Sequence, residues 1–228
     1  MTPQTEASKR AYNQFCPLSR TLDIIGERWT LLIIRNLIAG PQRYKDLLDN
    51  LPGIGTNLLA ARLKELQSSG IIQRRKLPPP AGSTVYEFTE LGRGLEEPLL
   101  ALARWGLWTL TRPSEGAFVP PVMFRSGLRI LFNAEAAAGM RETYEIRIDG
   151  DVFHLVVDDG TLQTAQGPAS KPDMVFTSDA ATWTAIASDS LSPQKAMMDG
   201  QLKFDGDPAA VIRFARIFPR PMPASSPA

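Results

Sequence analysis

The chain has 228 residues, 43% hydrophobic and 21% charged, with a net charge of +1, an ordinary globular composition with room for one large domain or two small ones. A single cysteine excludes an internal disulfide framework and a cysteine-rich zinc site, and the lack of a signal-peptide pattern or an apolar run of about 18 residues excludes a membrane helix and points to the cytosol. Charge is unevenly spread: residues 1–112 carry 15 Lys and Arg against 10 Asp and Glu, the remainder 10 against 14, so a basic front and an acidic back imply two units with different partners.

Residues 1–14 are polar and expected to be flexible. In "PLSRTLDIIGERWTLLIIRNLIAG", Leu22, Ile25, Trp29, Leu32 and Ile33 recur at helical spacing until Gly40-Pro41. This predicts one helix over 17–26 and another over 27–39. "RYKDLLDNL" reads as a short helix over 43–51, broken by Pro52-Gly53. Helix 56–69 follows, with Thr56 as its expected cap and Gly70 at its end. "IIQRRKL" and "STVYEFT" alternate like two strands joined by the proline turn "PPPAG". Thr89 then caps a long helix over 90–110, which Pro98 is expected to kink. Helix, helix, helix, hairpin, helix is the order of a winged helix-turn-helix unit, placed at 15–112.

Residues 113–121 read as a linker. A second α+β unit is expected over 122–218. It opens on the helix "VMFRSGLRILF" and continues as a three-stranded meander whose Asp-Gly steps fit hairpin turns. The strand "DMVFTS", two helices, a strand at 201–204 and a last helix from Pro208 follow, before a disordered proline-rich tail at 219–228.

Helix 56–69 carries the first functional signal. On a helical wheel Leu59, Leu63 and Leu66 form one stripe, while Asn57, Ala61, Lys64 and Ser68 lie opposite, flanked by Ala60 and Glu65. A small, polar outer face suits the major groove, which admits one α-helix closely. Asn57 can pair with an adenine edge, and Thr56 at the helix start can meet phosphate. The basic strand that follows, Arg74, Arg75 and Lys76, suits a wing that grips flanking backbone.

The motifs Cys16-Pro17, "IGERWTLLIIRNL", "LPGI", "RLKELQSSGII", "YEFTELGR" and Trp105-Gly106, in this order, resemble the HxlR family of winged-helix regulators, relatives of the MarR group, over about residues 15–107. The resemblance implies a homodimeric regulator, expected to be a repressor, that binds double-stranded DNA at an inverted repeat. Dimerisation would use helix 17–26 and the helix carrying Leu91, Leu95, Leu99, Leu102, Trp105 and Trp108. Ala60 and Ala61 stand where the family often has a polar or basic residue. Base readout would then lean on Asn57, Lys64, Arg62 at the flank and DNA shape, with Arg43, Arg74, Arg75 and Lys76 on phosphates.

The acidic half resembles the sterol-carrier-protein-2-like (SCP2-like) fold, most clearly at "PQKAMMDGQLKFDGD". The resemblance implies an apolar small-molecule effector held between sheet and helices, with Phe153, Leu155, Val157, Trp183, Ile186, Met197, Met198, Phe204, Phe214 and Phe218 as candidate lining, although their spacing equally describes an ordinary core. Paired methionines would suit an adaptable pocket.

Cys16, at the start of the first helix near Arg20, is a redox candidate, since a helix N-terminus and a cation favour thiolate. Some members of the resembled family sense oxidants through a cysteine at this place. His154 stands alone mid-strand and reads as structural. "FDGD" and "DDG" lack the spacing of a calcium loop and read as turns. No metal site, cofactor or enzymatic activity is expected. The leading expectation is an α+β, cytoplasmic, dimeric DNA-binding regulator. A thiol switch through Cys16 with a structural second unit, a lipid carrier whose first half only dimerises, and an enzyme acting on a lipid-like substrate are the competing readings.

Overall fold

The computed structural model describes residues 11–78, 82–107, 109, 119–120 and 122–219. The expected linker, apart from Val119 and Pro120, the tip of the expected wing, Trp108, the first ten residues and the tail beyond Pro219 lie outside these. The chain divides into two compact units after Glu96.

The first unit runs α1 (Pro17–Ile25), α2 (Thr30–Ile38), β1 (Gln42–Arg43), α3 (Tyr44–Asp49), α4 (Thr56–Ser68), β2 (Ile72–Lys76), β3 (Thr84–Phe88) and α5 (Glu90–Arg93). Its sheet has the order β1-β3-β2, all antiparallel. β1, only two residues long, left no readable period in the sequence. Ile33, Ile34, Leu37, Leu47, Leu59, Leu63, Leu66, Val85 and Phe88 make the core, each buried side chain stabilising by roughly 1.5–3 kcal/mol.

The ends of α4 show how local chemistry fixes the helix. Thr56 is not its cap: Gly55 takes the extended cap conformation and Thr56 is already helical, one position too late for its hydroxyl to reach back. At the other end Gly70 has φ +70°, Ile71 N–H donates to Leu66 O and Gly70 N–H to Gln67 O. This is a Schellman closure, which requires a left-handed residue where glycine carries no Cβ penalty.

Thr89 does cap the next helix, its hydroxyl accepting from Gly92 N–H at 3.1 Å and donating to Gly70 O at 2.6 Å. The expected single helix is however two, α5 and α6 (Glu96–Leu107), broken at Gly94-Leu95 rather than kinked at Pro98. Pro98 falls in the first turn of α6, where its missing N–H would have had no helical partner. By compactness α6 groups with the second unit, where Arg104 Nε donates to Ile130 O at 3.0 Å.

The second unit continues with α7 (Val122–Leu131), β4 (Arg141–Ile148), β5 (Asp151–Asp158), β6 (Thr161–Gln166), β7 (Met174–Ser178), α8 (Ala180–Ala187), α9 (Pro193–Met198), β8 (Lys203–Gly206) and α10 (Pro208–Ile217). The sheet order is β6-β5-β4-β7-β8, with β7 parallel to β4. Both hairpins turn on Asp-Gly pairs with positive φ, Asp149-Gly150 and Asp159-Gly160, as a two-residue turn matched to strand twist requires. β8 begins two residues later than expected because Gln201 and Leu202 N–H close back on Ala196 O at the end of α9. Tyr144, Ile146, Phe153, Leu155, Val157, Met174 and Phe176 line one sheet face and pack with Leu128, Ala196, Ala210 and Ile217 from the helices.

Candidate nucleic-acid interface and apolar core

α4 buries Leu59, Leu63 and Leu66 and exposes Asn57, Ala60, Ala61, Lys64 and Ser68. Thr56 is exposed, and its carbonyl accepts the Tyr44 hydroxyl at 2.8 Å, which ties the start of α4 to α3. Arg43 is the exposed cap of α3, its N–H donating to Asp46 Oδ2 at 3.0 Å.

Arg62 does not join this face. Its side chain is only 13% exposed, pairs with Glu27 Oε2 at 2.9 Å and also binds Glu65. The flanking position that suggested base readout instead turns the guanidinium toward the α1–α2 connection.

The three basic wing residues are split by the pleat. Arg74 and Lys76 stand opposite Tyr86 and Thr84, while Arg75 stands opposite Val85 on the other face. Arg74 lies 5.7 Å from the Tyr86 ring centroid, a cation–π contact. Arg75 Nη2 sits 2.8 Å from Glu87 Oε2, and Gln73 donates to Glu87 Oε1 at 3.0 Å. The hydrogen bond from Arg75 holds the Glu87 carboxyl below the usual carboxylate range, and Glu87 in turn raises the Arg75 guanidinium. Arg75 therefore carries a largely compensated charge, unlike its two neighbours in sequence.

Cys16 occupies the cap position of α1 in an extended conformation. Its thiol is lowered, chiefly by the Ser19 backbone N–H, then by the Ser19 hydroxyl and the Leu18 N–H. The donors come from the helix N-terminus, and Ser19, not Arg20, is the side chain that adds to them.

Of the candidate lining, Phe153, Leu155, Val157, Trp183, Ile186, Met197, Phe214 and Phe218 gather in one cluster. Met198 and Phe204 do not join it, being 87% and 42% exposed. Adjacent residues of α9 point about 100° apart, so Met197 packs while Met198 faces out. Phe204 pairs with Phe176 in register, but on the edge strand.

Sequence reasoning missed Tyr144 and Phe176, whose rings extend the cluster. Phe214 lies 5.1 Å from Tyr144, 4.7 Å from Phe176 and 4.6 Å from Phe218. Tyr144 is fully buried, and its hydroxyl donates to Glu142, which also receives Arg213. Burial, then Glu142, raises this phenol well above its ordinary range. Strand alternation from Ile146 and Ile148 was the signal that could have found it. His154 Nδ1 donates to Gly167 O at 2.9 Å, a structural contact. Among the described residues no three His, Cys, Asp or Glu come together as a metal site, and no helix is long and apolar enough to cross a membrane.

Comparison with known proteins also divides the chain in two, but with α6 in the first part rather than the second. The HxlR-like helix-turn-helix family matches residues 24–113, and the SCP-2 sterol transfer family matches residues 131–219. The HTH-type transcriptional regulator YodB of Bacillus subtilis is 35% identical over 94 residues, covering 41% of this chain and 84% of its own length. The HTH-type regulator YdeP of the same organism is 36% identical over 94 residues, covering 40% of this chain and 71% of its own. Among solved structures, the redox regulator HypR in its reduced form is 32% identical, covering 40% of this chain and 90% of that chain, with a TM-score of 0.37.

Proposed function

Because this chain belongs through its first half to the HxlR-like helix-turn-helix family of transcriptional regulators, we propose that it binds an inverted-repeat operator as a homodimer, represses from it, and answers to an apolar molecule held in its SCP2-like second half. The observation that carries the reading is the outer face of α4: a three-turn helix that buries Leu59, Leu63 and Leu66 and exposes the small or polar Asn57, Ala60, Ala61, Lys64 and Ser68, with Thr56, Leu58 and Glu65 also exposed around them. Lys64 and Asn57 offer donors to base edges, while Arg43, Arg74 and Lys76 supply sequence-independent attraction to phosphate.

Dimerisation is supported by two helices with unburied apolar residues. Phe15, Leu18 and Leu22 at the start of and along α1 are 112%, 66% and 39% exposed, and on α6 Leu102 and Trp105 are 49% and 65% exposed. Isolated exposed leucines need no explanation, but a run at helical spacing does. Two α4 helices related by a twofold axis would enter successive major grooves about 34–36 Å apart.

The test is selection of a binding site from a random-sequence duplex library, followed by titration of variants. Asn57→Ala and Lys64→Ala should each cost about 1–3 kcal/mol of discrimination at one base pair of each half-site. A library from which no sequence emerges would overturn the reading.

The lowered thiol of Cys16 favours a second reading, in which oxidation or alkylation at the start of α1 releases DNA and the second unit is structural. With no second cysteine in the chain, an oxidised Cys16 would join two subunits or carry a small-molecule thiol. Equal operator affinity of wild type and Cys16→Ser after diamide treatment would remove it.

A further inference from the structure

The corner between α1 and α2 meets α4 at one point and the loop that precedes α4 at another. Glu27 forms the 2.9 Å pair with Arg62 in the second turn of α4. Two residues later, the Trp29 indole lies against Gly53, whose φ of +92° bends the loop that delivers α4. Trp29 itself holds a left-handed conformation, φ +77°, as the cap residue of α2. For a bulky side chain that conformation is a genuine outlier, and it persists only where the surroundings over-determine it. Arg28 adds a further hold, its guanidinium 5.4 Å from the Trp29 ring centroid. α1 also packs on α4 directly.

The Arg62 end of this bracket is buried. Its side chain is 13% exposed, and its Nε has no hydrogen-bond partner. A guanidinium so placed is stabilised by its carboxylates, and it lies on the flank of α4, between the buried leucines and the outward residues. Rotation of α4 about its own axis would strain this pair together with the packing of Leu59 and Leu63.

We propose that Arg62 is a positioning residue for sequence readout: through Glu27 it fixes the roll of α4 against the α1–α2 corner, and so the angle at which Asn57 and Lys64 meet base edges. The inference rests on the reading of α4 as the helix that enters the major groove. A displacement of α1, whether by dimer rearrangement or by chemistry at Cys16, would reach the base-reading side chains through this corner as well as through the direct packing of α1 on α4.

The experiment uses the full-length protein and two duplexes, one selected by wild type from a random-sequence library and one of random sequence, titrated over a range of salt. Glu27→Gln removes the carboxylate and leaves Arg62 in place. It should lower the preference for the selected duplex about five- to tenfold, leaving affinity for the random duplex and the salt slope unchanged. The charge swap Glu27→Arg with Arg62→Glu, made together with Glu65→Gln so that the carboxylate moved to position 62 does not face a second one, should recover most of that preference. Thermal melting of each variant sets the folded fraction used in the comparison. Should Glu27→Gln not fold, Glu27→Asp, which keeps the charge and withdraws it by one methylene, is read in its place. Unchanged preference in Glu27→Gln overturns the inference. So does tighter binding to both duplexes with a salt slope steeper by about one, which would mean a released guanidinium on phosphate. If Asn57→Ala also leaves the selected preference intact, α4 is not the reading helix and the underlying reading fails; if Asn57→Ala abolishes it while Glu27→Gln does not, only the positioning role fails.

Discussion

Arg75 and Glu87 meet diagonally across the wing, with Nη2 2.8 Å from Oε2 and Nε bonded to both carboxylate oxygens, so that one of three consecutive cations is already engaged within the sheet. Arg74 and Lys76 extend from the opposite face. On the proposed reading these two, rather than the central residue, face the phosphates.

The first prediction follows. Arg74→Ala and Lys76→Ala should each weaken binding to all sequences and lower the salt slope by roughly 1. Arg75→Ala should lower it by much less, and Glu87→Gln, which releases the guanidinium, should raise affinity for random DNA. Fluorescence anisotropy over a salt series checks all four.

The same pair gives a pH dependence. The Glu87 carboxyl is depressed by Arg75 in the folded state, so its contribution to stability is complete above the ordinary carboxylate range and is lost as pH falls through its lowered value. Wild type should therefore melt above Glu87→Gln at neutral pH, with the gap closing in acid. A gap that widens on acidification would reverse the assignment.

Cys16 should react as a partly activated thiol. Its alkylation by iodoacetamide should follow a midpoint below that of free cysteine, because Ser19 and Leu18 donors favour the thiolate. Ser19→Ala should move the midpoint only part of the way up, since the Ser19 backbone N–H, the larger influence, remains. Rates measured across pH by mass spectrometry decide it.

In the second half, Phe214→Ala removes the ring that touches Tyr144, Phe176 and Phe218 and should destabilise that unit by about 3–5 kcal/mol. If the cluster instead houses an apolar molecule, native mass spectrometry of freshly purified protein should show a dimer with added mass on each subunit, and Phe214→Ala should lose it. A dimer without added mass would leave the cluster as core alone.

Much of the fold was legible because periodicity and turn chemistry agree along the chain. Leu59, Leu63 and Leu66 announced the buried side of α4, and Asp149-Gly150 and Asp159-Gly160 announced the meander. What stayed hidden depended on partners distant in sequence. Arg62 looked like a DNA contact because nothing local reveals Glu27, 35 residues earlier. Arg75 looked equivalent to Arg74 because a basic run reads as one patch until strand register assigns each residue a face. Pro98 suggested a kink only because the break at Gly94-Leu95 was not anticipated. The two-residue β1 and the burial of Tyr144 likewise emerge from pairing, not from composition.

The outward side of α4 has a consequence for how such a protein changes over generations. Ala60 and Ala61 are exposed, whereas Leu59 and Leu63 beside them are completely enclosed. On the proposed reading, replacements at the two alanines would alter which promoters are addressed while the buried leucines are left in place. Retargeting and folding would on that reading be assigned to different sides of the same thirteen-residue helix, and a lineage could explore new regulatory circuits through single changes that cost the fold only the loss of alanine's helix propensity, less than about 1 kcal/mol each.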